Sequence, residues 1–164
     1  MNKTLIQQIT RMAKKDQIVR KAYLKDVSLV AQTKKIDKLH LLQLKKIVHT
    51  YGWPTVSLVG KKAAHLAWLL VQHADTDTNF QKRCLKLMKK AAKTGQASLG
   101  DVAYLTDRVL VIQRQAQIYG TQFYKDPISG WIPRPIIKPQ DVNIRRAKMG
   151  LNSFEKYAKR MTHV

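Results

Sequence analysis

The chain has 164 residues with 31 Lys and Arg against 10 Asp and Glu, a formal net charge of +21, and 45% of its residues are hydrophobic. That length fits one folded domain, and that composition excludes a wholly disordered chain. The best apolar run, residues 63–71, is broken by His65 and falls short of a membrane span, and the lone Cys84 excludes an intrachain disulfide or an all-cysteine metal site.

The first ten residues lack the apolar core of a secretory signal, so the expected location is cytoplasmic. From Asn2 to about Tyr23, apolar residues at Leu5, Ile6, Ile9, Met12, Ala13, Ile18 and Val19 form one stripe at helical spacing. Lys14, Lys15, Arg20, Lys21 and Lys25 lie largely off it. This pattern suits a helix packed on a core with a wet basic face better than one lying on a membrane. A second stripe, Ile36, Leu39, Leu44, Ile47, Val48 and Tyr51, describes a helix ended by Gly52 and Pro54. A connector over 55–60 leads to a strongly apolar helix over about 61–73, which should be central. Asp75 and Asp77 can cap the next helix, whose buried stripe is Phe80, Cys84, Leu87, Met88 and Ala91, with Gly95 closing it. Ser98 with Asp101 resembles a capping box for a helix through Val102, Leu105, Val109 and Ile112.

From Tyr119 to Gln140 the periodicity disappears among four prolines and two glycines. Tyr119, Phe123, Tyr124, Trp131 and Ile132 supply anchors for an ordered covering loop. Asp141 then caps a short helix ending at Gly150, and Ser153 begins a last one to about Met161. The expected fold class is all-α: a single-domain bundle of about six helices under a long Pro-rich covering loop. Residues 1–30 read as an N-terminal basic helical extension and 31–164 as the main helical domain.

Charge is spread along the chain, with net +9 over residues 1–50, +6 over 51–100 and +6 over 101–164, and Glu155 is the sole Glu. Such a field draws polyanions toward the protein without reading sequence. Three polar clusters fit badly with a plain core. Gln72, His73 and Asp75 end the most apolar helix, where His73 is either a helix C-cap or a pocket group. Tyr104, Asp107 and Arg108 share one helix face, as an internal ion pair or a ligand site. Gln117 to Gln122 surround Gly120 where helix gives way to loop, either tying up helix ends or converging on a ligand. No phosphate loop, zinc helix or nucleophile elbow is present, and Cys84 lies on an apolar stripe, where cysteine is inert.

Taken in order, Gly52-Trp53-Pro54, Val59-Gly60, Gln72-His73-Ala74-Asp75, Tyr104-Leu105-Thr106-Asp107-Arg108 and Gln117-Ile118-Tyr119-Gly120-Thr121-Gln122 resemble a bacterial family, domain-of-unknown-function family 6624. Arg145-Arg146, Gly150-Leu151 and Tyr157 resemble its C-terminal signature. The resemblance runs over about residues 37–157 and leaves residues 1–30 outside. It implies relatives and a shared pocket, with no established reaction. His40 stands where the family usually has Asn, Arg114 where it has Gly, and Asn143 where it has Asp.

Three functions follow as expectations. In the first, a polar pocket binds or processes an anionic small molecule or polyanion. There His73 is the general acid or base, Asp107 orients it, and Arg108 with Arg146 holds the anion. Gln72, Asp75, Tyr104, Tyr119, Gln122 and Arg145 complete that pocket. In the second, Lys14, Lys15, Arg20, Lys21, Lys34, Lys35, Lys45 and Lys46 bind nucleic-acid phosphates with little sequence preference. In the third, the signature holds together a structural or regulatory interaction module. No metal, cofactor or oligomeric state is assigned.

Overall fold

Asn2 opens the first helix by accepting the Leu5 amide at 3.0 Å on its side chain, and α1 (Lys3–Lys25) follows in the computed structural model, which describes residues 1–162. Two compact units divide the chain, Met1–Ser98 and a second beginning at Leu99.

In the first unit, α1 leads through a 3₁₀ turn, Val27–Leu29, into α2 (Val30–Tyr51), which Gly52 ends at φ 69°. Thr55 caps α3 (Val56–Gln72), and Gly60 breaks that helix at φ 77° and ψ 160°. The stretch expected as a connector is therefore a helical turn, and residues 61–72 form the apolar helix. Small side chains at Ala63, Ala64 and Ala67 let neighbours approach α3 closely, and it packs against α1, α2 and α4 (Thr78–Ala92). Its central place agrees with its composition. Leu5, Ile9, Met12 and Ala13 of α1 are buried, so residues 1–30, expected as an extension, contribute to the interior of this unit. Ile18 and Leu39, expected on buried stripes, are exposed. On α4 the inward position next to Cys84 is Leu85, and Leu87 is only half-buried. Burial pushes the Cys84 thiol up to about 12 against the pull of Arg83, so it is a packing residue.

The second unit begins with α5 (Leu99–Ile112). The segment expected as an irregular loop holds an antiparallel hairpin, β1 (Phe123–Asp126) paired with β2 (Gly130–Pro133). Asp126 tightens its turn by accepting the amides of Ile128 and Ser129. Four residues per strand are too few to show alternation, and Pro133 sits at the end of the ladder, where its missing amide costs little. Phe123 packs against the rings of Phe154 and Tyr157. A 3₁₀ turn, Pro139–Asp141, then enters α6 (Val142–Lys148). Asp141 precedes α6 but makes no side-chain cap bond. Ser153 does cap α7 (Phe154–Met161), accepting the Lys156 amide at 3.3 Å. Asn143 ties α6 to α7 by accepting the Phe154 amide while donating to both oxygens of Glu155. An aspartate there has no donor for Glu155. The described residues thus hold seven α-helices and one small hairpin, so the chain is mostly helical, in broad agreement with the all-α class.

Arg114, just past α5, has φ 60°. A left-handed conformation costs an L-residue about 1–2 kcal/mol, partly offset by the greater unfolded-state entropy of Gly. Arg114→Gly is expected to raise stability by about 0.5–1 kcal/mol in urea unfolding. An unchanged or lower midpoint would contradict the strain.

Candidate functional site

In the first unit, α1 sets Asp16 and Arg20 four residues apart on one face, and α2 and the end of α3 bring Asp37 and His73 to them. Asp16 is only 1% exposed and occupies the position after Met12 and Ala13 on the buried stripe. Its Oδ1 lies 3.0 Å from His73 Nδ1 and 3.0 Å from Arg20 Nε, and its Oδ2 accepts from Gln17 at 2.9 Å. Arg20 reaches on to Asp37 at 2.5 Å.

Nδ1 of His73 lies within reach of both a donor and an acceptor: Arg20 Nε–H donates toward it at 2.9 Å, and Asp16 Oδ1 is 3.0 Å away. The tautomer with Nδ1–H donates to Asp16 and leaves the basic lone pair on Nε2, whereas the Nε2–H tautomer accepts from Arg20. No hydrogen bond to Nε2 is present among the described residues. Burial works against an ionised Asp16, but the hydrogen bond and charge of His73, the charge of Arg20 and the Gln17 amide outweigh it and hold the carboxyl below its usual range. Asp37 moves the other way: burial raises it, and Arg20 only partly opposes.

His73 is also the C-cap of α3, with its own amide donating to Leu70. Gln72 is buried with Oε1 unpartnered, and Asp75 accepts from Gln81. The same Gln81 amide reaches the carbonyls of Val71 and Gln72 and so finishes the end of α3. Gln81 escaped the sequence reading although a glutamine beside Phe80 on the inward face is a visible oddity.

α1 and α2 also form a cleft of about 460 Å³, lined among others by Gln7, Gln8, Arg11, Lys15, His40 and Gln43, with none of Asp16, Arg20, Asp37 or His73 in its lining. His40 is buried, and its Nδ1 has no partner among the described residues. Burial lowers its pKa from 6.5, with Asp16 pulling it up and Lys15, Arg20 and His73 adding to the depression. A depressed histidine contributes stability that is full above the unfolded value of 6.5 and lost as pH falls through the folded one. Wild type is therefore expected to lose more stability than His40→Asn between pH 7.5 and pH 5 in urea unfolding. Parallel losses would contradict a buried neutral His40.

In the second unit, the loop 117–122 wraps Asp107, which is fully buried. Its Oδ1 accepts from the amides of Ile118 and Tyr119 at 2.8 and 3.1 Å, and its Oδ2 from the amide and hydroxyl of Thr121, each at 3.0 Å. Burial raises its carboxyl above the usual carboxylate range, and these donors oppose it only in part. Asp107, expected to orient His73, thus spends both oxygens on the loop, while the carboxylate bonded to His73 is Asp16.

The other signature residues of this unit also bond to protein. Gln117 pairs with both backbone groups of Gln122 and reaches the Arg134 carbonyl. Arg108 donates to the Gln122 side chain at 3.2 Å. Arg145 donates to the carbonyls of Ile118, Ile137 and Lys138, and Arg146 to those of Asn152 and Tyr119 while lying over the Tyr157 ring. Tyr104 meets Tyr157 edge-on, and Tyr157 donates to the Thr121 carbonyl. Burial raises the Tyr119 hydroxyl pKa, and nearby Asp107 adds to it. Gly120 has φ 67°, and a Cβ there would lie 2.7 Å from the Phe154 ring, so this position needs glycine on both counts.

Of the residues expected to bind nucleic acid, Arg20 is held by Asp16 and Asp37, and Lys45 pairs with Asp77 at 2.7 Å. Lys14, Lys15, Lys21, Lys34, Lys35 and Lys46 are exposed. Among the described residues no helix is long and apolar enough to cross a membrane.

The family described as "Family of unknown function (DUF6624)" matches residues 3–163, and the chain belongs to it. The match takes in α1, which the signature motifs alone leave outside. No curated protein and no solved structure matches the chain.

Proposed function

We propose that the first unit binds an anionic small molecule and moves a proton on it at Nε2 of His73. The observation that carries this reading is the 3.0 Å approach of Asp16 to His73 Nδ1; in this reading Nδ1–H donates to Asp16 and the basic nitrogen is Nε2. Asp16 orients the ring and stabilises the imidazolium formed when Nε2 accepts a proton. Arg20, shared between two carboxylates, positions Asp16 and has little charge left for a ligand. The cations suited to the anion are Arg11 and Lys15, which line the α1–α2 cleft. The signature of the second unit serves in this reading as a brace for the loop 117–122.

Turnover of anionic esters tests it, with p-nitrophenyl phosphate and a carboxylated p-nitrophenyl ester as substrates. His73→Ala is expected to abolish turnover while the melting temperature stays within a few degrees, since Asp16 keeps Arg20 and Gln17. Equal rates in wild type and variant, or a collapse of stability with no kinetic effect, would make His73 a structural residue.

A further inference from the structure

Between Asp16 on α1 and Thr33 on α2 no residue is buried. The last turns of α1, the 3₁₀ turn and the first turn of α2 therefore extend beyond the packed interior of their unit. At this end Leu24 and Val27 are 70% and 73% exposed, and Ile18 and Val30 are exposed as well. Leu24, Val27 and Val30 follow at spacings of three from the end of α1 through the 3₁₀ turn to the start of α2, and such a run of large apolar side chains is unfavourable in water and suits a surface that something else covers. Around them stand Lys21, Lys25, Lys34 and Lys35, all exposed. The one acid in residues 21–35 is Asp26, whose carboxylate accepts the Ser28 amide at 2.9 Å.

We propose that this end of the α1–α2 hairpin docks on an anionic lipid bilayer, with Leu24 and Val27 entering the headgroup–acyl boundary and the lysines lying among lipid phosphates. Charge decides between occupants. A second copy would bring four lysines against four lysines. A nucleic-acid backbone offers nothing to Leu24 and Val27. An anionic bilayer accepts both features, and a short apolar contact with a polybasic rim is the two-signal arrangement that reversible membrane binding requires. The inference is independent of the acid–base site, because none of these side chains bonds to His73 or Asp16. It also places the membrane contact at the tip of α1, since the stripe of the helix proper is buried in the core.

Co-sedimentation of the full chain tests it, using vesicles of phosphatidylcholine with 30% phosphatidylglycerol and of phosphatidylcholine alone at physiological salt. Binding is expected to the anionic vesicles only. Leu24→Ser with Val27→Ser, which leaves the charge unchanged, should weaken it at least about 20-fold at an unchanged melting temperature. Lys21→Glu should weaken it at least about fivefold, the share of one lysine near such a surface. Val27→Trp, a milder change, should bind and shift its added fluorescence to the blue on anionic vesicles. The proposal is overturned by no binding to anionic vesicles. It is equally overturned by binding that the double variant keeps in full, which would be the work of net charge alone. A dimer that the double variant breaks, without lipid affinity, would assign the tip to a second copy instead.

Discussion

Asp107→Asn is expected to cost the fold about 2–4 kcal/mol, since each buried donor left without an acceptor costs about 1–3 kcal/mol. The carboxylate accepts from three loop amides and the Thr121 hydroxyl with nothing but acceptor atoms. An asparagine keeps one oxygen and turns an NH₂ toward donors, so at least one buried amide loses its partner and another faces a like group. The loop 117–122 then comes loose, taking with it the carbonyls that receive Arg145 and Arg146. Urea unfolding measures the loss. A variant of nearly wild-type stability would mean that Asp107 is held in readiness for a ligand and does not brace the loop.

Asp16→Asn is expected to act on chemistry more than on stability. The amide is close in shape and can still accept at Oδ1, so the fold should lose only about 1–3 kcal/mol, the range for a disturbed buried hydrogen bond. The charge that, on the proposed role, holds the His73 proton on Nδ1 and stabilises the imidazolium is gone. On the proposed acid–base role, turnover of the anionic ester substrates should fall on the order of 10²–10⁴-fold, the usual size of losing an orienting carboxylate or acid–base partner. Long-range ¹H–¹⁵N spectra of the ring should show a mixture of tautomers in the variant and Nδ1–H in wild type. A single unchanged tautomer would show that Asp16 does not set it.

The local rules of the chain were legible wherever one residue type decides the outcome. Gly52 ends α2, Asp77 caps α4 by accepting the Phe80 amide, and Ser153 caps α7, each a short-range event written in consecutive residues. The hairpin was hidden because four-residue strands carry no period and prolines flank them. Asp141 has the residue type of a cap, but its side chain does not bond the helix. Ile18 fits the α1 stripe in spacing yet lies beyond the last buried residue, where the neighbouring helices no longer cover it. The cluster of Asp16, Arg20, Asp37 and His73 was half visible. His73 stood out by its odd place at the end of an apolar helix. Its partner Asp16 is 57 residues away, and only the packing of α1 on α3 joins them. A signal for Asp16 existed nonetheless: it is the only acid in the first 25 residues, and it falls on the apolar stripe instead of the basic face. Arg20 was read as a surface phosphate contact because its two carboxylate partners are set by tertiary structure.

The most direct test of the His73 site is carbethoxylation by diethyl pyrocarbonate, which attacks an unprotonated, reachable imidazole nitrogen. The exposed His49 and His65 serve as internal references. Mass spectrometry of the peptides gives the extent of reaction, and ring NMR gives the nitrogen modified. The expected result is His73 modified at Nε2 in wild type, with Asp16→Asn spreading the product to Nδ1. A His73 that stays unmodified while His49 and His65 react, or one modified at Nδ1 in wild type, would contradict a poised Nε2 and with it the acid–base role of this unit.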